Sequence, residues 1–330
     1  MKDMLLTSSP VEEARRSARV FAQEGKKAGK NLFAVIAETM GLFMLSQIAT
    51  CIAIVIYLFA NVFSTTDIEN GFRFEFSTDK GFVDKNLVLI MLFTEIFMIL
   101  IYILYARFKE KRSLSSLGFV KAKMVPSYLV GIIGAAVSML TASAVCLFTG
   151  AFTIDRSEYS SLYLVLYSLG WIIQGLAEEV MCRGYLMTSI ARRYSLRTAV
   201  ITNSIVFATL HVLNPSGITV LAFVNLFLYG VFASLMFLYS ENIWLCAGFH
   251  TVWNLIQGNV LGIPVSGIRV PSLFEITLND KLTLLNGGSF GLEGGLCVTA
   301  ILAIGCLILF ALCKRKSQEK TVKVRSVDIK

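Results

Sequence analysis

Leu87-Val-Leu-Ile-Met-Leu-Phe-Thr-Glu-Ile-Phe-Met-Ile-Leu-Ile-Tyr-Ile-Leu-Tyr-Ala106 holds a single ionisable side chain, Glu95. As a helix rising about 1.5 Å per residue it would reach about 30 Å, the thickness of a bilayer's hydrocarbon core. The run is continuously apolar rather than alternating, which excludes a strand of a membrane barrel. Working outward, seven more runs have this character: 32–63, 126–148, 161–182, 198–213, 218–239, 243–262 and 294–313. The first is overlong and the 198–213 run is short. Whole-chain composition agrees, with 55% hydrophobic residues, 16% charged residues and a mean hydropathy of +0.69. A soluble domain carries about 25% charged residues. A soluble α/β enzyme, a disordered scaffold and a disulfide-stapled fold are therefore excluded. The expected fold is an all-α polytopic membrane helical bundle of about eight transmembrane helices.

Basic residues orient the spans. Of the 30 Lys and Arg, 24 fall in the two tails and in connections 107–123 and 183–197, against six in the alternate connections. Both termini are therefore expected on the cytoplasmic side of the cell membrane. The +8 net charge reflects this bias and attraction to anionic lipid rather than nucleic acid. Residues 1–31 are expected to form a cytoplasmic tail, 32–313 the transmembrane domain and 314–330 a second basic tail. Met1–Pro10 lacks the apolar core of a signal peptide. Ser9-Pro-Val-Glu12 instead reads as a capping box opening a short helix. The seven cysteines show no C-x-x-C spacing and are expected as buried free thiols. No internal repeat is evident. Loops 64–86 and 263–293 are long, and Phe72-Arg-Phe-Glu-Phe76 alternates as a small strand would. Gly131/Ala135 and Gly230/Ser234 have the small-x-x-x-small spacing of close helix packing.

Ionisable groups at membrane depth are costly and mark candidate sites. In Gln174-Gly-Leu-Ala-Glu-Glu-Val-Met-Cys-Arg183, Glu179 and Arg183 are four apart, acid first, which predicts an intrahelical ion pair. Glu178 is rotated about 100° away and has no basic partner at helical spacing, as befits a general base or acid. His211 closes Phe207-Ala-Thr-Leu-His211. His250 and Asn254, also four apart, share a helix face. Glu178 and His211 lie nearly equidistant from a turn centred at Tyr194-Ser195, which predicts similar depth. His250 joins them if the turn at Glu241-Asn242 sits deeper. Glu38, six residues into its span, reads as interfacial; Glu95, nearer mid-span, could face a cavity, but the structural reading is favoured for both, and Cys182 reads as an inert buried thiol.

These stretches resemble the CPBP family, the type II CAAX prenyl endopeptidases and bacteriocin-processing intramembrane proteases. That family's pattern is E-E-x-x-x-R, then F-x-x-x-H, then H-x-x-x-N, on three membrane helices. It is matched by Glu178-Glu179 with Arg183, Phe207 with His211, and His250 with Asn254. Gly262-Ile-Pro-Val-Ser-Gly267 and the Gly-rich stretch 286–295 are similar to the bacterial branch. The resemblance covers about 126–295. It implies an intramembrane endopeptidase acting on a membrane-associated peptide or protein. Glu178, aided by His211, would activate water, while His250 and Asn254 would steady the oxyanion. Glu178, His211 and His250 also make an acceptable catalytic zinc set. However, H-E-x-x-H is absent, and metal-independent activation without a cofactor is the favoured expectation. Buried Glu and His also suit a proton-coupled transporter, but paired broken helices are not visible. A non-catalytic scaffold with an immunity role would not require Glu178, His211, His250 and Asn254 together.

Overall fold

The structure, a computed structural model, describes residues 9–23, 31–64, 85–214 and 217–327. The strand expected at Phe72–Phe76 lies outside the described residues. The chain forms α1 (Ser9–Gln23), α2 (Leu32–Ser64), α3 (Lys85–Leu104), α4 (Met124–Phe148), β1 (Phe152–Arg156) and α5 (Ser161–Glu179). α5 continues through π-helical turns at Val180–Met187 into α6 (Thr188–Ala191). Then follow α7 (Leu196–Leu210), α8 (Val220–Ser240), α9 (Trp244–Leu255), β2 (Phe274–Leu278), α10 (Thr283–Asn286) and α11 (Leu296–Val327). The architecture is an all-α polytopic bundle. An apolar helix occupies each predicted span, but six of them are long and apolar enough to cross a membrane.

The two that fall short are informative. α7 has 15 residues, about 22 Å. α9 has 12, extended by a five-residue π turn at Ile256–Val260. Hydropathy detects both as apolar but does not see that they end early. They carry the two histidines, His211 at the C-terminal cap of α7 and His250 midway along α9.

α9 packs between α4 and α5, and its approach to α4 is closer than any side chain permits. A Cβ on Gly248 would lie 2.4 Å from the Tyr128 carbonyl oxygen, and one on Gly131 2.3 Å from that of Leu245. The small-residue spacing at Gly131/Ala135 thus marks the α4–α9 seam. Gly230 plays the same part between α8 and α7, where a Cβ would meet Ser204 at 2.7 Å.

The two ends are closed by polar staples. Arg112 is fully buried and donates to Ser116 Oγ at 3.0 Å, Ser189 Oγ at 2.9 Å and Thr188 Oγ1 at 2.5 Å. This fastens the connection after α3 beneath α5 and α6. Ile243 N–H donates to the Gly118 carbonyl at 2.9 Å, and Asn242 is wholly buried. Asn242 and Ile243 of the 241–243 turn are thus covered by chain. α1 docks on this end, with Arg15 Nε donating to the Ala191 carbonyl at 2.8 Å and Ser113 Oγ to Glu13 at 2.9 Å. At the other end β1 and β2 pair antiparallel, Phe152 opposite Leu278 and Arg156 opposite Phe274. In the following loop Gly291 takes φ +91°, where a Cβ would lie 1.9 Å from the Pro264 carbonyl oxygen.

Two expectations need correction. Arg183 belongs to the buried helical stretch and not to a cytoplasmic connection; it is fully buried because Glu179 neutralises it. All seven cysteines are free, but Cys51 is exposed on α2 rather than buried. The segment expected as a basic tail is helical to Val327, continuous with α11.

Candidate active site

Glu178 and Glu179 occupy the last turn of α5, where the helix widens into π turns. Such turns often accompany functional sites. Glu179 and Arg183 form the predicted ion pair at 3.0 Å with both side chains fully buried. Breaking such a buried pair is strongly destabilising, and Glu179 Oε2 and Arg183 Nε have no hydrogen-bond partner among the described residues. Arg183 also donates to the Gly230 carbonyl at 3.4 Å, and its guanidinium lies 4.7 Å from the centre of the Phe207 ring and 5.7 Å from that of Tyr229. The pair therefore ties α5 to α7 and α8.

Glu179 Oε1 also lies 3.0 Å from His250 Nδ1. A carboxylate already receiving an Arg hydrogen bond only accepts, so Nδ1 carries the proton and Nε2 faces the other way. Nε2 lies 3.8 Å from Glu178 Oε2, too far for a direct hydrogen bond. Glu178 is held from its other oxygen, which accepts from Gln174 Nε2 at 2.6 Å. Gln174 Oε1 in turn accepts from Asn254 Nδ2 at 3.0 Å. One carboxylate oxygen is thus anchored through two carboxamides. The second has no hydrogen-bond partner among the described residues. The side chain keeps 20% of its exposure against none for Glu179, although Oε2 itself is buried.

His211 caps the end of α7, and its Nδ1 lies 2.8 Å from the Phe207 carbonyl. A carbonyl only accepts, so the neutral ring leaves the Nε2 lone pair free. The Phe207 ring spans the two imidazoles, 4.8 Å from His211 and 6.3 Å from His250, with Tyr229 5.2 Å from His250. Glu178, His211, His250 and Asn254 all line one cavity of about 310 Å³. The three sequence stretches are therefore brought together. His211 shares the cavity wall with Glu178, and its ring contact is with Phe207. Among the described residues no group of three or more His, Cys, Asp or Glu side chains could hold a metal ion. Glu178, His211 and His250 do not form such a cluster.

Three residues at the site received no role from the sequence. Gln174 is four residues before Glu178, the same spacing that revealed Glu179–Arg183, so its signal was present. Tyr229 lacked any motif. Glu293 accepts from Trp253 Nε1 at 3.3 Å and from Ser266 N and Oγ at 2.7 and 2.8 Å. It pins the loop after α9 across the cavity, a contact no local pattern announces.

The fold and cavity define a multi-pass membrane protein with a carboxylate, two imidazoles and two carboxamides gathered inside its bundle. Residues 160–256 match the family model described as type II CAAX prenyl endopeptidase Rce1-like, and the matched stretch contains every residue of the constellation. No curated protein matches the chain.

Proposed function

We propose that the protein is an intramembrane endopeptidase that hydrolyses a membrane-associated peptide or protein with water activated by Glu178. The observation carrying this reading is the Glu178 carboxylate. One oxygen is fixed by Gln174; the other is unpaired and 3.8 Å from His250 Nε2. Two atoms at that separation can share one water at normal hydrogen-bond length from each. Glu178 Oε2 takes a proton from that water as its oxygen attacks the peptide carbonyl carbon. His211, whose Nε2 only accepts in the neutral ring, helps orient the water.

As the carbonyl becomes an oxyanion, it needs donors. Asn254 Nδ2 has a second hydrogen beyond the one given to Gln174. His250, with Nδ1–H committed to Glu179, presents Nε2–H when the ring is protonated between two carboxylates. Removing one such donor costs roughly 10²–10³ in rate. Glu178 then returns its proton to the leaving amine. Glu179 and Arg183 hold the His250 ring and the α5–α8 seam without touching substrate. The positive-charge bias of the tails supports a cell-membrane protein with both termini cytoplasmic.

The test is incubation of the purified protein in lipid nanodiscs with single-span membrane peptides, the products being read by mass spectrometry. Cleavage that persists in a strong chelator, and is lost in His211→Ala and reduced about 10²–10³-fold in Asn254→Leu, is the expected result. Loss of cleavage in chelator with recovery on adding zinc would overturn the metal-free route. Glu178-dependent ion flux into liposomes without any cleavage would overturn the peptidase reading.

A further inference from the structure

Three carboxylates and two imidazoles face the cavity. Glu178, Glu293 and Glu95 line it, while no Lys or Arg is among its lining residues. Glu293 is satisfied by Trp253 and Ser266, and Glu178 is engaged as described. Glu95, on α3, is accounted for by neither the mechanism nor the packing. Its Oε2 is buried and has no hydrogen-bond partner among the described residues. The Glu95 side chain hydrogen-bonds to Gln47 of α2, a neutral group that also lines the cavity. The rest of this wall is apolar: Phe43, Val88, Met91, Leu92 and Met98. A neutral amide leaves the charge of a carboxylate among such residues uncompensated, which is costly at bilayer depth.

The position of Glu95 relative to the chemistry follows from helix register. α3 and α5 run parallel, since Tyr167 donates to the Lys85 carbonyl at 2.7 Å and Tyr102 meets Tyr185 further along, ring centres 5.2 Å apart. Between these points Leu92 sits on Gly170. From that level Glu95 lies about 4.5 Å along the axis and Glu178 about 12 Å. The two helix positions are therefore about 7.5 Å apart along the bundle, a little over two residues of extended peptide.

Resting on the peptidase reading above, we propose that the cavity selects peptides with a lysine or arginine within two residues of the scissile bond, and that Glu95 is the group that pairs with it. The stem of such a side chain packs along the Phe43–Met91–Leu92 wall while its charged head reaches Glu95, the usual division of a long basic side chain. The bond being cut is unchanged and no further reactant is needed.

The experiment uses the full-length protein in nanodiscs and one cleavable peptide. Lysine, norleucine or glutamate is placed in turn at each of the three positions on either side of the cut. The wild type should favour lysine over norleucine by about 30-fold or more in kcat/KM at one of the two nearest positions. Glu95→Gln should bring that ratio close to one, mainly by raising KM for the lysine peptide, with kcat little changed. A second arm measures binding of the uncleaved fluorescent peptides to Glu178→Gln and to the Glu178→Gln, Glu95→Gln double variant. Lysine-dependent affinity that requires Glu95 supports the inference even if wild type cleaves nothing, in which case the peptidase reading alone fails. No lysine preference in either arm, or a preference that survives Glu95→Gln, overturns it.

Discussion

Gly248→Ala places a methyl group where there is no room for it and does so two residues from His250. The new Cβ would begin 2.4 Å from the Tyr128 carbonyl oxygen and 3.1 Å from Tyr128 Cα. Ordinary contact begins near 3.4 Å, so α9 must move away from α4 by about 1 Å. Neighbouring contacts resist this motion, because Tyr128 also donates to Thr251 at 3.0 Å and Gly131 meets Leu245 across the same seam. His250 moves with α9, while Glu178 and Glu179 stay on α5. Both the 3.0 Å hydrogen bond and the 3.8 Å gap are therefore altered. A misplacement of 1 Å in a positioned group can lower the rate about 100-fold. Overpacking alone costs about 1–3 kcal/mol. Peptide hydrolysis in nanodiscs should fall about 100-fold in kcat/KM, with only a modest fall in unfolding midpoint. Gly41→Ala, where nothing lies within 4 Å, should change neither. Wild-type hydrolysis by a folded Gly248→Ala protein would refute the claim that the α4–α9 seam sets the site's geometry.

Gln174→Leu removes the donor to Glu178 and the acceptor for Asn254 together. Activity should drop about 10- to 100-fold, the scale for losing a group that orients catalytic partners, while the unfolding midpoint changes little. Arg183→Met leaves Glu179 buried without its cation, and thermal unfolding in detergent should show about 3–5 kcal/mol of destabilisation; Arg183→Met combined with Glu179→Leu should recover part of it. A cysteine added at either terminus of a cysteine-free variant should react with a membrane-impermeant thiol reagent from the cytoplasmic side only, and labelling of the two ends from opposite sides would contradict the charge-based orientation.

Much of the site was legible because its parts are local helix patterns. Glu179–Arg183, Phe207–His211 and His250–Asn254 are each four residues apart, so helical periodicity alone places each pair on one face. The equal-depth expectation for Glu178 and His211 also agrees with their common cavity, since a hairpin of two helices fixes depth by counting from its turn. What escaped was non-local. β1 and β2 pair across more than a hundred residues, and five-residue strands leave little trace in an apolar sequence. Glu293 reaches Trp253 and Ser266 only because the last loop folds back, which no spacing rule foresees. Arg183 was counted with the 183–197 connection in the charge tally although its spacing from Glu179 already placed it in the helix; the carboxylate one turn earlier lets it stay inside. The 198–213 run is short in the sequence itself, but the end of α9 left no such mark, because hydropathy measures composition, whereas termination is set by the covered turns and polar ends around it.

The account rests on Glu178 as the group that takes the proton from water. The most direct measurement is the single-turnover rate of membrane-peptide hydrolysis by Glu178→Gln beside the wild type, at matched unfolding midpoints. The substitution keeps the side chain's size and can still pair with Gln174, but it removes the base. Hydrolysis should fall at least about 10³-fold, toward the upper range for loss of a positioned general base. A folded Glu178→Gln protein that cleaves at the wild-type rate would contradict the mechanism.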